Sequence, residues 1–85
     1  DLKLTPKTFA VYPNPSQGES WIEFQGNLFS GAKGKLVDAK GALIRTFDIN
    51  SPTYKLRLDN VHTGMYFLML EQGEQVEVHQ IYVNP

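Results

Sequence analysis

Apolar and polar residues alternate at every second position through much of this chain, and helical spacing appears nowhere. Tyr54, Leu56 and Leu58 alternate with Lys55, Arg57 and Asp59, which predicts a strand with one wet and one buried face. Within residues 19–24, Ile22 and Phe24 share one face and Trp21 and Glu23 the other. Residues 8–12 form a first short strand, ended by Pro13-Asn14-Pro15, because neither proline can donate to a ladder. Residues 35–38 and 42–48 flank Ala39-Lys40-Gly41, a hairpin loop whose last residue, Gly41, suits a left-handed backbone. The exception to alternation is Met65-Tyr66-Phe67-Leu68-Met69-Leu70, apolar at every position. That run predicts a central strand covered on both sides, with Tyr66, Leu68 and Leu70 facing one way and Met65, Phe67 and Met69 the other. Gly64, closing the turn that feeds this strand, is expected at positive φ. Gln72-Gly73 then turns the chain tightly into a last strand over residues 75–83. Its parity changes, since Val76 and Val78 lie on one side and Ile81 and Val83 on the other. The change predicts a β-bulge near His79-Gln80 or cover on both faces. Residues 26–34 are expected to be a glycine-rich loop with Leu28 and Phe29 tucked inward.

About seven short strands, separated by turn signals roughly every eight to twelve residues, predict an all-β protein. The architecture expected is an immunoglobulin-like β-sandwich of about seven antiparallel strands, stabilised without cysteines. The 85 residues make one domain, assigned to residues 8–85, with residues 1–7 the end of a linker. A chain this short buries only about 60–65% of its unfolded surface, so modest stability is expected. Lys plus Arg total 8 and Asp plus Glu 9, for a net charge of −1, which supplies no electrostatic drive toward nucleic acid or an anionic membrane. The longest apolar run is far too short for a membrane span.

Catalytic and metal chemistry find little support. His62 and His79 are the two histidines, and Asp59-x-x-His62 with Glu77 matches no recognised zinc ligand set. Residues 26–33 lack the Gly-Lys-Ser/Thr ending of a phosphate loop, and no serine sits in a nucleophile elbow. The expectation is a non-enzyme that needs no cofactor and no metal. Trp21 is expected either beneath the 26–34 loop or on a recognition surface, and Lys55 with Arg57 as a solvated basic stripe.

Three stretches in order carry a resemblance to a known family: Val11-Tyr12-Pro13-Asn14-Pro15, Val37-Asp38 through Lys40-Gly41, and Leu58 through Gly64-Met65-Tyr66-Phe67. Together they resemble the type A C-terminal sorting domain of the type IX (Por) secretion system of Bacteroidetes, over roughly residues 9–83. Tyr12, Pro13, Asn14, Pro15, Gly41, Gly64 and Tyr66 are the signature positions. The resemblance implies a sandwich at the end of an exported protein, recognised by the outer-membrane secretion machinery and removed by a sortase-like peptidase. The cargo passes through the periplasm and is released or attached at the cell surface. One departure is visible: the family usually closes on a basic ending, whereas after Leu70 this chain has Glu71, Glu74 and Glu77 and neither Lys nor Arg. A Lys-containing extension is therefore expected to improve export.

The function expected is a secretion and sorting signal acting by protein–protein recognition. The alternative is a non-catalytic accessory sandwich of a secreted enzyme, binding carbohydrate through Trp21 or serving as a spacer. The last strand has no internal Lys or Pro to discourage pairing, so its edge is expected to be open to a receptor or a second copy. Val76, Val78, Gln80, Ile81 and Val83 are the candidate contact residues.

Overall fold

A computed structural model describes residues 8–26 and 28–84; the linker expected at 1–7 lies outside the described residues, as do Asn27 and Pro85. Seven strands follow in order: β1 (Phe9–Tyr12), β2 (Glu19–Phe24), β3 (Ala32–Asp38), β4 (Leu43–Ile49), β5 (Thr53–Arg57), β6 (Gly64–Gln72) and β7 (Gln75–Val83). They form two antiparallel sheets, β1-β2-β5 and β4-β3-β6-β7. This is the immunoglobulin-like sandwich that the strand pattern predicted, with β4 joined to the sheet that holds the last two strands. No helix among the described residues is long and apolar enough to cross a membrane.

Alternation explains the core directly. Phe9, Ile22 and Leu56 come from the inner face of the three-stranded sheet. Leu36, Ile49, Tyr66, Leu68, Leu70, Ile81 and Val83 face them from the other sheet, with Leu58 and Val61 closing one end. Two side seams tie the layers together. On one, Phe47 of β4 stacks on Tyr54 of β5 with ring centroids 4.9 Å apart, and the Arg45 guanidinium donates to the Arg57 carbonyl. On the other, Glu77 of β7 reaches Thr8 and Phe9 at the start of β1.

Local chemistry explains the turns. Asp38 Oδ1 accepts from the Lys40 and Ala42 amides at 2.9 and 2.8 Å, and Gly41 takes φ +88° as its position requires. Gly73, at φ +61°, opens a two-residue turn between the paired Gln72 and Gln75.

Four expectations are corrected. First, β6 is not covered on both sides: Tyr66, Leu68 and Leu70 are buried, while Met65 is 37% exposed and Phe67 and Met69 are half-buried. Among the described residues no third layer lies over that face, which neighbouring side chains of β3 and β7 shield. Second, β7 has no bulge at 79–80; its register with β6 is unbroken from Gly64↔Val83 to Gln72↔Gln75, and the irregularity lies between Leu36 and Val37 of β3. Val76 and Val78 simply point outward. The inward positions at that end are Glu77 and His79, whose polar atoms find partners at the seam. Third, Gly64 is not at positive φ; it begins β6 and pairs with Val83. Fourth, Leu28 is 88% exposed, and Phe29 alone plugs the loop against Phe24, at 5.5 Å between centroids. The loop is also shorter than expected, because β3 already begins at Ala32. Of the two settings expected for Trp21, the structure takes the exposed one: it stands on the outer face of the three-stranded sheet with Lys55 Nζ 5.8 Å from its ring centroid, not beneath that loop.

Candidate recognition site at the last strand

The prolines of Tyr12-Pro13-Asn14-Pro15 take the chain out of β1 and across to the outer edge of β7. Both X–Pro bonds there are cis. Pro13 and Pro15 offer no backbone N–H. What this segment supplies to β7 therefore comes from the Asn14 side chain and from Ser16. Asn14 Nδ2 donates to the Gln80 carbonyl at 3.0 Å, and Asn14 Oδ1 accepts the Tyr82 amide at 3.1 Å. The Ser16 amide then donates to the Tyr82 carbonyl and its carbonyl accepts from Asn84, both at 2.8 Å, forming a parallel bridge with Val83. Ser16 is fully buried, its hydroxyl donating to the Glu19 carbonyl; the buried Ser20 hydroxyl donates to the Pro13 carbonyl. Thus the loop is held from both sides.

This arrangement closes the terminal half of the edge that was expected to be open. Strand β7 is the edge strand of its sheet, but Gln80, Tyr82 and Asn84 have their outward backbone groups occupied by residues 14–16. Further back along β7, Glu77 accepts the Thr8 amide at 2.8 Å through Oε2 and the Phe9 amide at 3.3 Å through Oε1. His79 Nε2 lies 3.1 Å from the same Oε1. Burial pushes the Glu77 carboxyl up, but the Thr8 backbone, His79, the Thr8 hydroxyl and the Phe9 amide together hold it below its ordinary value.

The other signature positions collect at the same end of the fold. Gly64 pairs with Val83, and Tyr66 lies between Ile81 on β7 and Asp38 on β3, where the hairpin carrying Gly41 begins. The Tyr66 hydroxyl donates to the His62 carbonyl at 2.7 Å, the corner tie that sandwich domains make at the start of this strand. Tyr12 is exposed, with its hydroxyl 3.4 Å from Glu23 Oε2. Of the β7 candidates, Ile81 and Val83 are core residues, whereas Val76, Val78 and Gln80 face outward.

The outward side chains of β7 continue a largely uncharged surface. Tyr82 neighbours Met65; Gln80 neighbours Phe67, then Val37 and Leu43; Val78 neighbours Met69. Charge borders this surface directly: Glu71 lies across from Val76 and Lys35 across from Met69, with Lys35 Nζ and Glu71 Oε2 3.3 Å apart. Among the described residues no group of three or more His, Cys, Asp and Glu converges as a metal site, and His62 serves through its backbone.

A family model described as the secretion system C-terminal sorting domain matches residues 10–84. The chain belongs to that family. It is a C-terminal sorting signal for type IX secretion, so it interacts with secretion machinery and directs export to the cell surface or medium. No curated protein matches the chain. Sorting-signal domains are typically non-catalytic. Sequence reasoning missed Ser16, Ser20 and Glu77 among the residues that build this sorting domain's β7 region. The small polar residue directly after Pro15, and the inward parity of Glu77 with Ile81 and Val83, were the available signals.

Proposed function

We propose that the sorting domain is read as a folded unit at β7 and the surface beside it, by a component of the secretion machinery at the outer membrane. The recognition positions are Val76, Val78 and Gln80, set on a scaffold made by Ile81, Val83, Gly64 and Tyr66. Tyr12, Pro13, Asn14 and Pro15 secure the strand from its edge, and Gly41 shapes the adjacent turn. The domain spans residues 8–85 and performs no catalysis. Residues 1–7 are the end of a linker to the cargo, and a sortase-like peptidase removes the domain after transit through the periplasm. The observation that carries this reading is the convergence of the Asn14 loop and of Gly64 and Tyr66 on the terminal half of β7.

Deleting residues 81–85 is a poor test, because Ile81 and Val83 are 1% and 0% exposed and their loss unfolds the sandwich. Outward substitutions separate recognition from folding. In a type IX-competent host, a periplasmic reporter fused ahead of this chain should reach the surface. The combined variant Val76→Ser, Val78→Ser and Gln80→Glu should leave the reporter in the periplasm while the purified domain keeps its β-sheet circular dichroism. Normal surface delivery of that variant would refute the reading.

A further inference from the structure

Asn14 meets β7 as a neighbouring strand would. A strand beside β7 would offer a carbonyl to the Tyr82 amide and an N–H to the Gln80 carbonyl. The Asn14 carboxamide supplies both from one planar group, at 3.1 and 3.0 Å. Ser16 continues the same pairing with its backbone, so four successive outward groups of residues 80–84 are filled by two residues. The prolines on either side of Asn14 remove the backbone N–H groups that could otherwise do this. Aspartate at this position would keep the acceptor and lose the donor, and leucine would lose both at similar size.

We propose that Asn14 is a positioning residue of the sorting signal: its side chain substitutes for an adjacent strand, holds residues 80–84 in the sheet, and closes that edge to strand addition. The machinery then meets the side chains of β7 rather than its backbone. This inference rests on the sorting reading above. It also accounts for an edge strand with no internal Lys or Pro, since the blocking device comes from another part of the chain.

The test uses the full chain, alone and fused behind a reporter, with Asn14→Leu and Asn14→Asp. In the isolated chain, exchange of the Tyr82 amide should quicken about tenfold in Asn14→Leu, the order expected for a lost edge pairing, while the Leu68 amide is unchanged. Asn14→Asp should leave Tyr82 closer to wild type. Light scattering should show Asn14→Leu associating with concentration where wild type does not. In the fusion, Asn14→Leu should lower surface delivery about tenfold relative to a remote core control, Leu56→Val or Leu56→Ala, whichever melts at the same temperature. Unchanged Tyr82 exchange overturns the proposal. Faster exchange with delivery equal to the control also overturns it, leaving Asn14 an ordinary stabilising residue. A wild-type fusion that fails to reach the surface refutes the sorting reading instead, and is distinguished by the exchange result.

Discussion

Gly34 offers a sharp test of how the two sheets are held together. It is buried in β3, directly across from Phe47 on β4 and Leu70 on β6. The Phe47 ring folds over the glycine, and a Cβ added at Gly34 would overlap its Cε2 and Cζ atoms. From there the ring stacks on Tyr54 of the other sheet at an interplanar angle of 10°. Gly34→Ala must displace Phe47 and disturb a contact that bridges the layers. Overpacking of this kind costs about 1–3 kcal/mol, and an aromatic pair contributes about 0.5–1.5 kcal/mol. Against this, replacing glycine restricts the unfolded chain and stabilises by about 0.4–1 kcal/mol where the backbone accepts it. Gly34 is not at positive φ, so that gain is available. The net expectation is a loss of about 1–2 kcal/mol, or a melting temperature lower by roughly 4–15 °C for a domain this size. Urea unfolding followed by the single tryptophan, Trp21, measures it. In a Phe47→Ala background the clash is gone, and Gly34→Ala should be neutral or stabilising. An equal cost in both backgrounds would refute the argument, because the loss would then belong to the backbone and not to the ring.

Leu68→Ala, at a fully buried position in the middle of β6, should cost about 2–5 kcal/mol in the same assay; an unchanged midpoint would mean that β6 is not the centre of the core. Glu77 makes stability depend on pH. Its carboxyl is held below the ordinary value in the fold, so its contribution is complete above about pH 4.3 and is lost as pH falls through the lowered value. Thermal melts of wild type and Glu77→Gln should therefore differ at pH 7 and converge in acid, and a gap that widens with acidification would contradict the Thr8 and Phe9 contacts.

Much of this fold is legible in the order of residues because the relevant physics is local. Alternation placed Ile22, Leu56 and Leu58 inside, since successive side chains of a strand point to opposite faces. Gly41 and Gly73 marked hairpins because their turns require positive φ, and Pro13 and Pro15 marked a strand end because neither can donate. The same reasoning failed where a second layer or a distant segment decides. Six apolar residues in β6 implied cover on both faces, but only the packing of two sheets determines which face is dry. Gly64 read as a turn glycine, although the register of β6 against β7 makes it an ordinary strand start.

What the sequence determined by itself was an all-β chain with these strands, these hairpins and a family signature. What only the tertiary structure decided is the relation between the signature and the last strand. Asn14 and Gln80 are 66 residues apart, and Thr8 and Glu77 are 69 apart. No periodicity or turn rule couples positions so distant. They meet because folding the two sheets face to face brings β1 and the loop after it alongside β7. There the polar groups at the edge of a sheet find partners or remain exposed to pairing, and in this chain Asn14, Ser16 and the seam at Glu77 supply those partners.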